Sequence, residues 1–241
     1  MRLAVYIREM SPSDAASAAA NRWVWTDHID QFRRERARRR LNVAVAAIGL
    51  VVTAPLMMLI AAAIKLTSSG PVFYRQTRIG IDRRRRFGGN HRRELDQGGQ
   101  PFTIYKFRTM EHRPADPECW ASREDPRVTG VGRVLRKYRL DELPQLINVL
   151  SGDMNVVGPR PEQPAIFATL REQIAPYPIR QRVRPGITGW AQINQSYDTC
   201  LEDVRRKVVY DLEYLERQSV AEDLRIMLRT LPTVAFKRGA W

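Results

Sequence analysis

The sequence predicts a mixed α/β fold, mostly helical, with an N-terminal re-entrant membrane hairpin of helix-break-helix form, short β-strands and amphipathic interfacial helices. Three observations lead there. Leu41 to Ile64 is a run of 24 residues without a charge. Two segments rich in aromatic and β-branched residues read as short strands. The last third of the chain repeats apolar residues at helical spacing. The 241 residues carry 40 Lys+Arg against 26 Asp+Glu, a net charge of +14. Of the basic residues 35 are arginine. With 44% hydrophobic residues the chain is not a disordered polyelectrolyte. Two cysteines and three histidines exclude a disulfide scaffold and a zinc finger. The partner of so basic a protein should be anionic: nucleic acid, a membrane surface or a phosphate-bearing substrate.

Taken in chain order, residues 1–40 form a basic extension. Within it 21–40 read as an interfacial helix, with Trp23, Trp25, Ile29 and Phe32 on one side and six arginines between 33 and 40. Residues 41–65 are the membrane segment. As a straight helix the apolar run would measure about 36 Å, against a hydrocarbon core of about 30 Å, so it can span. Both flanks are basic, however, with Lys65, Arg75, Arg78 and Arg83 to Arg86 downstream. A simple span would put one basic flank on the wrong side. Pro55 interrupts the helical ladder, and the Thr53 hydroxyl can satisfy a freed carbonyl. These features favour a hairpin that dips into one leaflet and returns. A kinked span, a buried core helix and a signal peptide are the competing readings.

Residues 66–241 form the remaining domain. Val72 to Gln76 and Phe102 to Phe107 read as strands, separated by an Arg- and Gly-rich loop over 81–100. Val131 to Leu140 and Pro144 to Leu150 read as short helices around Asp141-Glu142-Leu143, with the break at Leu143 because it precedes a proline. Gly158-Pro159-Arg160-Pro161 and Arg184-Pro185-Gly186-Ile187-Thr188-Gly189 are turns that each present an arginine. Leu201, Val204, Val208, Leu212 and Leu215 mark a helix. Ser219 and Glu222 make a capping box for the next, which carries Leu224, Met227, Leu228 and Leu231 before Pro232. The tail with Val234, Phe236 and Trp241 reads as interfacial.

Phosphoryl transfer on a diphosphate needs charge neutralisation and a placed nucleophile. A carboxylate can be that nucleophile, and a second can hold Mg²⁺, a hard cation with oxygen ligands. Asp141-Glu142 offers such a pair, with Arg133, Arg136, Lys137 and Arg139 nearby. On its own the dipeptide is equally what a helix N-terminus carries.

The surrounding blocks give it weight. Phe102-Thr103-Ile104-Tyr105-Lys106-Phe107-Arg108-Thr109-Met110, the stretch from Asp141 to Met154, Val157-Gly158-Pro159-Arg160-Pro161 and Arg184 through Asn194 closely resemble the bacterial sugar transferase family, the monotopic phosphoglycosyl transferases. The resemblance covers about residues 36–240. It implies a membrane enzyme on the cytoplasmic face of the bacterial plasma membrane. Such an enzyme moves a sugar phosphate from a nucleotide diphospho-sugar, usually a UDP-sugar, to polyprenyl phosphate in a two-step reaction with Mg²⁺. It implies Asp141 as nucleophile and Glu142 as its Mg²⁺-associated partner. Lys106, Arg108, Arg136, Arg160 and Arg184 then stand as substrate-binding cations, with Gln145 supporting the dyad. Two in-line attacks would give net retention at phosphorus. A homodimer is compatible with the resemblance.

The chain departs from the family pattern at several points. Asn42 stands where an acid is common, and Ala54-Pro55 where Ser-Pro is common. The loop over 81–100 is longer, and Gln195-Ser196-Tyr197 differs from the usual small or Gly-containing pattern. No multi-helix membrane domain precedes residue 41, which points to the small form of the family. The alternative is a basic, membrane-anchored protein that binds an anionic lipid or nucleic acid without catalysis. No nucleic-acid module is recognisable, so nucleic acid is not an expected partner.

Overall fold

The computed structural model describes residues 28–82, 98–111, 125–195 and 200–235, with side chains from 34 to 232 within those ranges. The expectations for Trp23, Trp25, Ile29 and Phe32, for most of the loop over 81–100, for Ser196-Tyr197 and for the tail lie outside them. The fold is a mostly helical α/β arrangement with one long apolar helix at its N-terminal side. Helix α1 spans His28–Thr67, β1 Phe73–Ile79, β2 Pro101–Phe107, α2 Gly130–Lys137 and α3 Gln145–Ser151. Then come β3 Asn155–Val157, α4 Pro164–Gln173, β4 Gly186–Thr188, α5 Trp190–Asn194, α6 Leu201–Arg217 and α7 Val220–Ala235. A 3-10 turn, Leu140–Glu142, precedes α3, and a second, Tyr177–Arg182, precedes β4.

The two expected strands pair as an antiparallel ribbon with Tyr74 opposite Lys106 and Gln76 opposite Ile104. The two loop motifs supply a second, parallel pair, β3 with β4. Their backbones are so close that a Cβ on Gly186 would sit 2.1 Å from the Gly158 nitrogen, which explains glycine there.

Helix α1 is long and apolar enough to cross a membrane. The sequence predicts a break at Pro55; instead one helix runs through it. The carbonyl that a proline at 55 leaves without its helical donor is that of Val51. Thr53 Oγ1 does not serve it and donates to Gly49 O at 2.7 Å. Loss of one hydrogen bond interrupts the ladder without ending it.

One side of α1 belongs to the protein core. Ala46 clusters with Ile104, Val149 and Met154, and Ile60 and Ile64 with Phe107 and Leu135. Its other side leaves Ile48, Val51, Val52, Met58, Leu59 and Leu66 exposed. Asn42 and Ile64 are 22 residues apart, about 33 Å along a straight helix, and both are buried against the same domain.

Helix α6 buries Val204, Val208, Leu212 and Leu215 as expected, while Leu201 stays outside. Ser219 Oγ accepts from Glu222 N–H at 3.1 Å at the start of α7. Two features of α7 differ from expectation. It continues past Pro232 to Ala235, and its core face carries Asp223 and Ile226 while Leu224, Leu228 and Leu231 are exposed. The reason is Arg38. Its guanidinium draws Asp223 inward, with Nε 3.0 Å from Asp223 Oδ2, and so sets the rotation of the helix.

Candidate active site

The dyad is carried on a short turn that two leucines hold down. Leu140 and Leu143 pack against the cluster of Ile60, Ile64, Phe107 and Leu135. Residues three apart eclipse in a 3-10 turn, so these anchors bracket Asp141 and Glu142 between them. Arg139 enters the turn with φ +56°, the one non-glycine residue at positive φ among those described. That conformation costs an arginine roughly 1–2 kcal/mol. The sequence predicts the break at Leu143, before Pro144; it falls at Arg139, and Leu143 stays helical at φ −53°. The packing of Leu143 and its N–H bond to Leu140 O at 3.3 Å outweigh the pre-proline preference.

Upstream, Thr129 caps α2 by accepting from Gly132 N–H at 2.9 Å. A Cβ on Gly132 would lie 2.0 Å from Thr109 O, so glycine lets α2 close onto the end of β2. Downstream, α3 is bolted to β2 by buried Asn148. Its Nδ2 donates to Thr103 O at 2.7 Å and its Oδ1 accepts from Tyr105 N–H at 3.1 Å. Asn148 is a site residue that patterning missed. A poor helix former in the middle of a seven-residue helix is the signal that could have found it.

Two elements converge on Glu142. Lys106 Nζ from β2 donates to Oε1 at 2.9 Å. Arg160 from the Gly158–Pro161 loop donates to Oε1 at 2.6 Å and to Oε2 at 3.3 Å. Burial alone would raise the Glu142 carboxyl, but Arg160 and Lys106 outweigh it and hold it well below the carboxylate range. Asp141 is moved the other way, raised by burial and by the negative charge of Glu142. Lys106 is lowered by burial, against the pull of Glu142. Adjacent carboxyls driven apart in this manner mark distinct chemical roles. Arg136 faces the dyad electrostatically, and its Nε donates to Thr109 Oγ1 at 2.9 Å. Gln145 is fully buried, and its Nε2 has no hydrogen-bond partner among the described residues.

Two expected cations are engaged elsewhere. Arg108 donates to the carbonyls of Ser68 and Ser69 and to Ser68 Oγ at 2.8 Å, which clamps the exit from α1. Arg184 donates to Gly152 O at 3.0 Å and to Glu35 Oε1 at 3.0 Å. With Arg39, which reaches the carbonyls of Val149 and Met154, it covers the C-terminal end of α3. Arginine there satisfies orphan carbonyls and complements the helix dipole.

Among the described residues no cluster of three His, Cys, Asp or Glu side chains could hold a metal. Asp141 and Glu142 supply two carboxylates. That donor set fits Mg²⁺ when substrate phosphates and waters complete the shell.

Comparison with known proteins places this geometry in a family. Residues 33–237 match the model described as bacterial sugar transferase. A UDP-glucose:undecaprenyl-phosphate glucose-1-phosphate transferase of Caulobacter vibrioides is 42% identical over 85% of this chain and 72% of its own length. One of the same description from Escherichia coli K12 is 41% identical over 80% of this chain and 39% of its own. A UDP-N-acetylgalactosamine-undecaprenyl-phosphate N-acetylgalactosaminephosphotransferase of Aeromonas hydrophila is 38% identical over 84% and 44%. The matched part thus spans about two fifths of the Escherichia coli and Aeromonas proteins. Both 3-10 turns, the β2 strand with Lys106 and the Arg160 loop all fall inside the matched range. The chain belongs to the bacterial sugar transferase family.

Proposed function

We propose that the protein transfers a sugar 1-phosphate from a UDP-sugar to undecaprenyl phosphate through a covalent intermediate on Asp141. The observation that carries this is the pairing of Glu142 with both Lys106 and Arg160 beside an Asp141 of raised basicity. Glu142 stays ionised and gathers two cations, which neutralise the charge of an incoming diphosphate. Asp141 is the more basic carboxyl and so the better nucleophile. Its oxygen bonds to the sugar-bearing phosphorus, the bridging P–O bond breaks, and UMP leaves. A phosphate oxygen of undecaprenyl phosphate then attacks the same phosphorus, and the acyl-phosphate bond breaks to return the Asp141 carboxylate. Mg²⁺, held by Asp141 and Glu142, would add charge neutralisation and polarise the phosphoryl oxygens.

The membrane reading is that α1, continuous through Pro55, is monotopic on the cytoplasmic leaflet. What supports it is that Asn42 and Ile64, at the two ends of the apolar run, rest on one domain. On this reading the dyad would lie at headgroup height, within reach of a lipid phosphate. The sugar is not assigned: relatives described as glucose and N-acetylgalactosamine phosphotransferases match at nearly equal identity.

The test is Mg²⁺-dependent release of UMP from a panel of UDP-sugars with undecaprenyl phosphate, alongside Asp141→Asn and Glu142→Gln. UMP release that depends on both carboxyls is expected. Full turnover by Asp141→Asn would remove the covalent step.

A further inference from the structure

Four consecutive carbonyls of the loop that carries Arg160 each accept a hydrogen bond from a different donor. Pro159 O accepts from Gly186 N–H and Glu162 O from Ile79 N–H, both at 2.9 Å. Between them Pro161 O accepts from Arg78 Nη1 at 3.2 Å, and Arg160 O from Arg180 Nη2 at 3.0 Å. The flanking prolines already fix φ on either side of Arg160. The residue that grips Glu142 is therefore itself gripped at its own carbonyl by a second arginine.

Arg180 heads the large, fully buried side chains among the described residues. Its Nε donates to Asp211 Oδ2 at 2.6 Å, and Nη1 lies 4.0 Å from Glu162 Oε1. Its guanidinium stands 4.8 Å from the centre of the Tyr177 ring. Lys207 Nζ donates to the same Glu162 Oε1 at 2.8 Å. Asp211 projects from α6 on the stripe of Val208, Leu212 and Leu215, where an apolar residue would pack as well. A buried guanidinium–carboxylate pair adds little stability over apolar residues of similar volume. What it supplies, and they cannot, is the arm on Arg160 O.

We infer that Arg180, oriented by Asp211, is a positioning residue: it fixes the backbone from which the Arg160 guanidinium reaches Glu142. Its consequence for turnover rests on the proposed function; its hold on the loop does not. A preorganised cation is worth most when its support is rigid, and small misplacements cost up to about 100-fold in rate.

The experiment uses the full chain in lipid nanodiscs, as wild type, Arg180→Lys, Arg180→Met/Asp211→Leu, Arg160→Ala and Arg160→Ala/Arg180→Lys. Hydrogen–deuterium exchange at the amides that tie this loop down, Gly158 to Thr188 O, Gly186 to Pro159 O and Ile79 to Glu162 O, should rise about tenfold or more in both Arg180 variants, locally and not globally. The Met/Leu variant should unfold within a few degrees of wild type, which separates loop support from folding. With the UDP-sugar that wild type uses, kcat should fall about 10–100-fold, with KM changed less than about threefold. Adding Arg180→Lys to Arg160→Ala should cost less than about twofold more, because both act through one side chain. Unchanged exchange at these three amides, or losses that multiply in the double variant, would overturn the assignment. If wild type released UMP from no UDP-sugar, the proposed function would fall while the exchange measurement still decided the role of Arg180.

Discussion

Asn42 Nδ2 donates to Asp223 Oδ2 at 3.3 Å, joining the start of the apolar run in α1 to α7 across 181 residues of sequence. The same amide donates to Arg38 O at 2.7 Å, and its Oδ1 accepts from Val156 N–H at 2.6 Å. Asp223 in turn holds Arg38 and accepts from Tyr214 OH at 2.8 Å. Asn42 thus satisfies donors and acceptors on three elements at once, in full burial.

Replacing Asn42 by Asp keeps the acceptor for Val156 but sets a second carboxylate against Asp223. A loss of about 1–3 kcal/mol is expected, as for a buried polar group without its partner. Asn42→Asp/Asp223→Asn should regain part of it, since a donor again faces an acceptor. Thermal unfolding of the two single variants and the double variant checks this; simple additivity would refute the pairing.

The Asp141 carboxyl is raised in the folded state by burial and by Glu142. A carboxyl raised on folding costs stability above its folded pKa, and that cost vanishes below the unfolded value. Near neutral pH, Asp141→Asn should therefore raise Tm while it abolishes UMP release. A gain of a few degrees is expected, since about 1 kcal/mol moves Tm by about 2–4 °C at this size. A fall in Tm would contradict the assigned direction.

The same shift is read on metal-free protein, because Mg²⁺ at the dyad would pull the carboxyl back down. There the Asp141 carboxyl titrates above the ordinary aspartate range near about 3.9. Glu142→Gln removes the neighbouring negative charge and leaves Lys106 and Arg160 facing Asp141, so that titration should move to lower pH. Carbon-13 NMR of labelled aspartate between pH 3 and 8 in the presence of EDTA decides it; a titration that stays put would mean that Glu142 does not raise Asp141.

Arg160 and Arg184 separate a site role from a scaffold role. Arg160→Ala should lower kcat about 100-fold, the scale of one lost charge-stabilising donor. Arg184→Ala should instead lower Tm, because Gly152 O and Glu35 lose their partner, with kcat/KM within about threefold of wild type. Measured together, these values test whether the cations named by resemblance serve one purpose or two.

Topology is checked by single cysteines near positions 30 and 75. A monotopic α1 predicts labelling of both from the same membrane face. Labelling from opposite faces would establish a span.

Much of this architecture is legible in the sequence. The apolar run, both strands, the Asp-Glu turn and the stripe of α6 follow from charge-free length, β-branching and helical spacing. Lys106 and Arg160, named from their blocks as cations for the substrate, both donate to Glu142, a pairing that the spacing of the blocks does not show. What escaped is mostly charge inside the fold. Asp211 and Asp223 lie on buried helix faces, so an apolar search passes over them, and a charged residue on an apolar stripe is the clue. The turn at Arg139 escaped because positive φ in an arginine comes from the packing of Leu140 and Leu143, not from local preference. Arg108 and Arg184 look alike in sequence to Arg160, and their bonds to the carbonyls of Ser68, Ser69 and Gly152 join parts of the chain too distant for a local pattern to show.

The burial of Ala46, Ile60 and Ile64 in clusters shared with Ile104, Leu135 and Phe107 bears on how this protein can be handled. The long apolar helix is no detachable tether. Cutting before residue 66 would unroof the leucine-anchored turn beneath the dyad and strand Asp223 without Arg38. A fragment from 66 onward should therefore be a misfolding product, and the apolar helix and the turn that carries the dyad would form in a single folding event.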